Sequence, residues 1–324
     1  MTRLNRRQVV IGGSTAALAA SVLGRPTGIM AQDTPTIRVG SKPFTESTIL
    51  GEVIGQLMED AGYPVERKLD LGGTAVVHEG MVQDELDVYV EYTGTALLAI
   101  LGRELPESSG DEASAEASPA ADEIAGKDEV YNIVADAYPD EFGIVWLEPW
   151  GMNNTYSIAV RRETADELGL VTMSDLAEHA GDMTLGTDNE FPVRQDGLPG
   201  YQETYGYEFG DVRQGDIGLM YSALAEGDVD VITSYATDGR IPALDLVLLE
   251  DDKNFFPPYY GAPVVRQDLL EEAPEVEDIL NQLAGKIDND TMARFNARVD
   301  DDGVEPAEAA RELLEEQGLI GSGE

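Results

Sequence analysis

The 324-residue sequence contains no cysteine. That excludes a disulfide framework, a thiolate zinc or iron–sulfur site, a cysteine nucleophile and a lipid-bearing cysteine. Histidine is almost absent. His78 and His179 are the only two, which leaves little for imidazole metal sites or catalytic triads. Bases are scarce: Lys and Arg total 21 against 63 Asp and Glu, a formal net charge of −42. A chain of that sign lacks the basic face that nucleic-acid phosphates require, so nucleic acid is not an expected partner. Enzyme signatures are missing as well, with no HExxH, GxSxG, P-loop or GxGxxG. The apolar run Val9 to Leu23 falls short of the ~20 residues that span a bilayer.

What is present begins with an uneven charge. Residues 1–31 hold Arg3, Arg6, Arg7 and Arg25 and no acid, so the leader carries +4 and the remainder −46. A basic stretch, an apolar run and the small-residue site Ile29-Met30-Ala31 describe an export signal. The pair Arg6-Arg7 directly before the run points to the twin-arginine route, with a general secretory signal or an uncleaved membrane anchor as the alternatives. The expected location is extracytoplasmic, in a periplasm or at a cell surface. Acidity on this scale is costly at low salt and screened in brine, where the Debye length is ~3 Å at 1 M, so the surface has a halophile character.

Hydrophobic residues make up 42% of the chain, enough for real cores, and the length suggests two domains. Strand and helix patterns alternate after the leader. Thr36–Gly40 is a strand. A helix over Thr45–Ala61 places Ile49, Leu50, Val53, Ile54, Leu57, Met58 and Ala61 on one broad face. Val65–Leu71 is a strand with Val65, Leu69 and Leu71 inward. Thr74 caps a second helix, Leu86–Val90 forms a third strand, and Thr93-Gly94-Thr95 opens a third helix. Such alternation specifies a largely parallel sheet with helices on its faces. Residues 104–126 are an acidic low-complexity loop. Order resumes with a helix near Glu129–Ala137 and strands at Ile144–Leu147 and Tyr156–Val160. Helices near Glu163–Leu168 and Ser174–Ala180 follow, then a strand at Thr184–Gly186. A helix near Asp216–Ala225, strands at Val229–Thr233, Leu246–Glu250 and Ala262–Val265, and three helices near Leu269–Lys286, Asp290–Val299 and Pro306–Gln317 complete the chain. Acidic runs such as Asp251-Asp252 and Asp300-Asp301-Asp302 are expected from composition alone, so no metal or cofactor is assigned. His78 and His179 are read as structural.

Thirteen tyrosines outnumber seven phenylalanines and two tryptophans. Several stand where a strand ends and a loop begins: Tyr92 in VEYTGT, Tyr156 in NNTYSIAV, Tyr235 in ITSYATDGR and Tyr259 in PPYYG. In open α/β sheets that is where ligands bind. Tyrosine offers a π face to a cation and a hydroxyl to a partner. Singly, each tyrosine could merely close a core edge.

The segments GSKPFTES (40–47), LGGT (71–74), ELDVYVEYTGTA (85–96), TDNEFPVRQDGLPGY (187–201), DVDVITSYATDGRI (228–241) and LLEDDKNFFPPY (248–259) resemble the glycine betaine-binding proteins of osmoprotectant ABC importers. The resemblance covers about residues 36–320. It implies an α/β, type II periplasmic-binding-protein fold, with two α/β lobes joined by two crossing strands. Lobe one would comprise 33–148 and 240–324, and lobe two 149–239. It further implies a binding protein without catalytic activity, whose partners are a small quaternary-ammonium ligand and a membrane ABC permease. The ligand would be glycine betaine, with proline betaine or choline as further candidates. Tyr92, Tyr156, Tyr235 and Tyr259 would form an aromatic cage for the trimethylammonium group, which has no N–H and is recognised by shape and ring faces. Lys42, Arg194 and Thr95 would hold the carboxylate end. Relatives can carry an acid where this sequence has Asn154, a departure that bears on cation affinity. A choline or carnitine receptor, and more remotely a secreted hydrolase on a similar two-lobe fold, are the competing readings.

Overall fold

The computed structural model describes residues 34–105 and 119–321. The export-signal residues 1–31 and positions 106–118 of the acidic segment lie outside the described residues. The chain enters through β1 (Ile37–Gly40), α1 (Thr45–Asp60), β2 (Val65–Lys68), α2 (Thr74–Val82) and β3 (Val88–Tyr92). A short turn, α3 (Thr93–Thr95), continues as a π-helical turn through Ile100. Then come α4 (Pro119–Phe142) and β4 (Ile144–Trp146). Residues 147–155 cross to a second set of elements: β5 (Tyr156–Arg161), α5 (Arg162–Leu168), β6 (Thr184–Thr187), α6 (Leu198–Tyr205), β7 (Asp211–Gln214), α7 (Ile217–Glu226), β8 (Val231–Tyr235), α8 (Arg240–Ala243) and β9 (Leu246–Leu249). Residues 250–260 cross back to β10 (Gly261–Arg266). The chain ends in α9 (Gln267–Glu272), α10 (Glu275–Leu280), α11 (Asn289–Asp300) and α12 (Pro306–Glu316).

Each lobe holds a five-stranded sheet, in the orders β2-β1-β3-β10-β4 and β7-β6-β8-β5-β9. The first three strands of each sheet are parallel, and the fourth runs antiparallel to its neighbours. That fourth strand is the first one formed after a crossing, β10 on the return and β5 on the way out. The crossings touch: Asn153 bridges Tyr260 antiparallel, and the Asn154 N–H donates to the Tyr259 carbonyl at 3.0 Å. Two lobes and two crossing strands are the type II arrangement. Its topology matters for the site. An antiparallel fourth strand begins where its parallel neighbours end, so all of them bring residues to the same edge, facing the other lobe.

The cores follow the sequence periodicity. The α1 residues Ile49, Leu50, Val53, Ile54, Leu57 and Met58 are all buried, and with Leu313 and Leu314 of α12 they fill one face of the first sheet. Burial of such a side chain contributes roughly 1.5–3 kcal/mol.

Several expectations change. The second lobe does not end at 239, because β9 pairs with β5 and carries the second sheet to Leu249. Residues 119–126, expected in the acidic loop, are helical and open α4 at Pro119, a position where proline's missing N–H costs nothing. The long helix expected over Leu269–Lys286 is broken at Pro274 into α9 and α10. β3 lies two residues later than expected, so it includes Glu91 and Tyr92. Leu71 is 43% exposed and not inward. Thr74 is not a cap. Gly73 holds that position, and the Thr74 N–H and hydroxyl go to Glu190 of the other lobe.

Candidate functional site

A cavity of about 360 Å³ between the lobes is lined by Lys42, Tyr92, Thr95, Asn154, Tyr156, Arg194, Tyr235 and Tyr259, all eight residues singled out in the sequence. Lys42 follows β1, Tyr92 ends β3 and Tyr235 ends β8. Tyr156 opens β5 and Tyr259 stands just before β10, the two antiparallel strands. Tyr156 and Tyr235 are cross-strand partners.

The rings meet as walls. The Tyr156 centroid lies 5.1 Å from that of Tyr235 and 5.7 Å from that of Tyr259, the second pair at 86°. Phe44, in the turn before α1, stacks on Tyr235 at 6.0 Å and lies 6.1 Å from Tyr92. Three of the four tyrosines donate their hydroxyl to a carboxylate: Tyr92 to Glu46 at 2.7 Å, Tyr235 to Asp188 at 2.6 Å and Tyr259 to Asp196 at 2.7 Å. Burial, with the carboxylates adding to it, pushes these phenols well above their usual range, so they remain protonated donors. Donation to an anion enriches the ring in electron density, which suits it to face a cation.

The basic residues are engaged within the protein. The Lys42 ammonium donates to Glu91 at 2.6 Å, with both side chains buried. Glu91 is further satisfied by the Tyr92 N–H and the Tyr89 hydroxyl. Arg194 forks onto Asp196, with Nε 2.8 Å from Oδ1 and a second bond to Oδ2. Nη1 reaches Glu190 at 3.3 Å, and Nη2, which also bonds Asp196, reaches the Thr95 hydroxyl at 3.2 Å. Burial alone would lower the Arg194 pKa, but Asp196 and the phenols of Tyr156 and Tyr259 hold it above its ordinary value. The guanidinium also lies 5.9 Å from the Tyr156 ring. Thr95–Arg194 and Thr74–Glu190 are bonds between lobes.

Asn154 places its side chain in a separate buried network. Its Nδ2 donates to Glu46 at 3.0 Å, and its Oδ1 accepts from Thr237 at 2.9 Å. The single Thr237 hydroxyl hydrogen is shared between that oxygen and Glu46, at 2.5 Å. Burial raises the Glu46 pKa, opposed by hydrogen bonds from Thr237, Tyr92, Asn296 and Asn154. The acid that position 154 lacks therefore has a neighbour in Glu46, supplied by α1. A second cavity of about 490 Å³ lies on the far side, and Phe44, Asn154 and Tyr235 line both. His78 lines neither cavity and packs edge-on against Tyr138 and Phe142.

Residues 35–316 match the family described as the substrate binding domain of the ABC-type glycine betaine transport system. The chain belongs to that family. It is 33% identical over 309 residues to a carnitine transport binding protein of Listeria monocytogenes, covering 94% of both chains. It is 34% identical over 300 residues to a glycine-betaine-binding protein of Pseudomonas aeruginosa, covering 89% of this chain and 90% of that one. A crystal structure described as a glycine betaine/carnitine/choline ABC transporter superposes with a TM-score of 0.67 at 33% identity, over 87% of this chain and 99% of that one. As a substrate-binding component of an ABC importer the protein is not an enzyme, its partner is a membrane permease, and it works outside the cytoplasm. None of the helices among the described residues is long and apolar enough to cross a membrane.

Sequence reasoning passed over Phe44, Glu46, Asp188 and Glu190. Phe44 and Glu46 sat in the quoted GSKPFTES segment, and Asp188 and Glu190 in TDNEFPVRQDGLPGY. Among 63 acids the three carboxylates carried no distinguishing signal.

Proposed function

We propose that the cavity captures a small quaternary-ammonium osmolyte, glycine betaine or a close relative such as proline betaine, and presents it to the permease. The observation that carries this reading is the set of rings, Phe44, Tyr92, Tyr156, Tyr235 and Tyr259, gathered at one cavity with hydroxyls turned to carboxylates. Each desolvated cation–π contact is worth about 2 kcal/mol. Lys42, Thr95 and Arg194 would orient the opposite end of the ligand. Lys42 and Tyr92 come from lobe one, and Tyr156 and Arg194 from lobe two. A ligand touching both sets binds the closed arrangement better than an open one, and that difference in affinity drives closure.

The second reading is choline or carnitine, and one observation favours choline, which has no carboxylate to seat: both basic groups are already paired, with Glu91 and Asp196. A thermal-shift panel of glycine betaine, proline betaine, carnitine and choline tests the proposal. A ligand at 100 times its Kd stabilises the folded chain by about 2.7 kcal/mol. A rise in Tm with at least one of these ligands is expected, and no rise with any of them contradicts the reading. Residues 1–31 are assigned to the twin-arginine route. Replacing Arg6 and Arg7 by lysine should stop export of a reporter fused to them, and undiminished export would refute that route.

A further inference from the structure

Glu190 sits in the loop after β6, in lobe two, yet its carboxylate is held by lobe one. Oε1 accepts the Thr74 N–H at 2.7 Å and Oε2 the Thr74 hydroxyl at 3.2 Å. Thr74 is the first residue of the nine-residue α2, whose N-cap, Gly73, offers no side chain. One of the N–H groups that the first turn of α2 leaves without an intrahelical partner is thus satisfied from across the cleft. Oε2 also accepts from Arg194 at 3.3 Å. The carboxylate lies flat on Gly73: a Cβ there would stand 1.9 Å from Oε1. Asp188 fixes the loop beneath it, accepting the N–H groups of Glu190 and Phe191. Burial would raise the Glu190 pKa, but Lys42, the Thr74 bonds and Arg194 outweigh it and hold the carboxyl below its usual range, so it stays ionised.

Arg194, a helix N-terminal N–H and the field of Lys42 are the donors a ligand carboxylate would need. We propose that Glu190 occupies the seat of a ligand carboxylate, latching the two lobes together, and sets the site's preference between cations with and without a carboxylate. This rests on the reading of the cavity as a quaternary-ammonium site. A carboxylate-free cation leaves Glu190 in place and gains from its charge. A zwitterion must displace Glu190 or sit beside it, and like charges side by side are costly. Lys42 and Arg194 face Asp188, Glu190 and Asp216 around the cavity, so carboxylates already outnumber bases there.

The test is calorimetric titration of choline and of glycine betaine into the parent, Glu190→Gln and Gly73→Ala. Glu190→Gln removes the charge while retaining an acceptor for Thr74. Gly73→Ala displaces the carboxylate without changing any charge, and the Gly73 backbone, at φ −66° and ψ 180°, accepts alanine. Both variants should shift the affinity ratio toward glycine betaine, Glu190→Gln by at least about tenfold. A ratio that stays within about twofold of the parent in both variants, or an equal loss of both ligands, overturns the inference and assigns Glu190 to lobe packing alone. A parent that binds neither of these two nor carnitine nor proline betaine contradicts the quaternary-ammonium reading itself, and the inference falls with it. That result is distinct from an unchanged ratio in a parent that binds.

Discussion

The cavity has two kinds of lining: Phe44, Tyr92, Tyr156, Tyr235 and Tyr259 gather their rings, each within about 6 Å of another, with the hydroxyls of Tyr92, Tyr235 and Tyr259 bonded to Glu46, Asp188 and Asp196. Beside them, Lys42 and Arg194 are paired with Glu91 and Asp196 within the protein. The rings can accept a cation without breaking a hydrogen bond, although Lys42 already lies 5.3 Å from the Tyr92 ring and Arg194 5.9 Å from the Tyr156 ring. The basic groups can accept an anion only by sharing or exchanging a bond. Residues of the right type at the right place are therefore unequal in readiness, and the difference lies in partners brought in from other elements.

Breaking the charged lining should have the largest effect, and on stability. Lys42→Met leaves the fully buried Glu91 with only the Tyr89 and Tyr92 donors. Loss of one member of a buried ion pair costs about 3–5 kcal/mol, and the two remaining donors place this variant near the lower figure. Chemical denaturation should recover most of the loss in Lys42→Met with Glu91→Gln, and a single variant as stable as the parent would mean the pair is not buried in solution. Breaking the aromatic lining should act on binding. Tyr156→Leu keeps an apolar filler but no π face, and should weaken a quaternary ammonium by about 2 kcal/mol, roughly thirtyfold, in a titration.

Salt should separate the surface from the cavity. With −46 on residues 32–324, Tm should climb with KCl as self-repulsion is screened. Ligand affinity should change by less than about tenfold, since its contacts form between the lobes. An affinity that collapses in molar salt would transfer capture from the enclosed rings to the exposed acidic surface. The smallest effect belongs to Tyr235→Phe. It keeps the ring, and Asp188 retains the Glu190 and Phe191 N–H groups. Affinity should fall by less than about threefold, and a larger loss would show that the hydroxyl, beyond the ring face, governs the ligand.

Much of the frame was legible because its elements are amphipathic in the ordinary way. The apolar face of α1 and the alternation of β and α units specified one lobe directly. What escaped had no such pattern. β7, DVRQ, is an exposed edge strand with a single apolar residue, and α6 begins Leu198-Pro199-Gly200, which suggests a turn until proline is placed in the first helical turn. The return crossing was set ten residues early because α8 is only four residues long and β9 was joined to the wrong sheet. In the site, the four tyrosines stood out at strand–loop junctions and Lys42, Thr95, Asn154 and Arg194 came only with the family resemblance, whereas the carboxylates that partner them were hidden in a uniformly acidic composition. Glu46 is the clearest case. An acid in the first turn of a helix suggests a solvated end, and its burial results from Tyr92, Asn154, Thr237 and Asn296 converging from four other parts of the chain.

The central claim is that ring faces hold the ligand as a cation. The most direct measurement is parallel calorimetry of choline and its neutral isostere, in which a carbon replaces the quaternary nitrogen. Shape and apolar area are nearly the same, so only the charge differs. The account predicts that choline binds at least about tenfold more tightly, the scale of one well-formed cation–π contact. Equal, saturable binding of the two would contradict it.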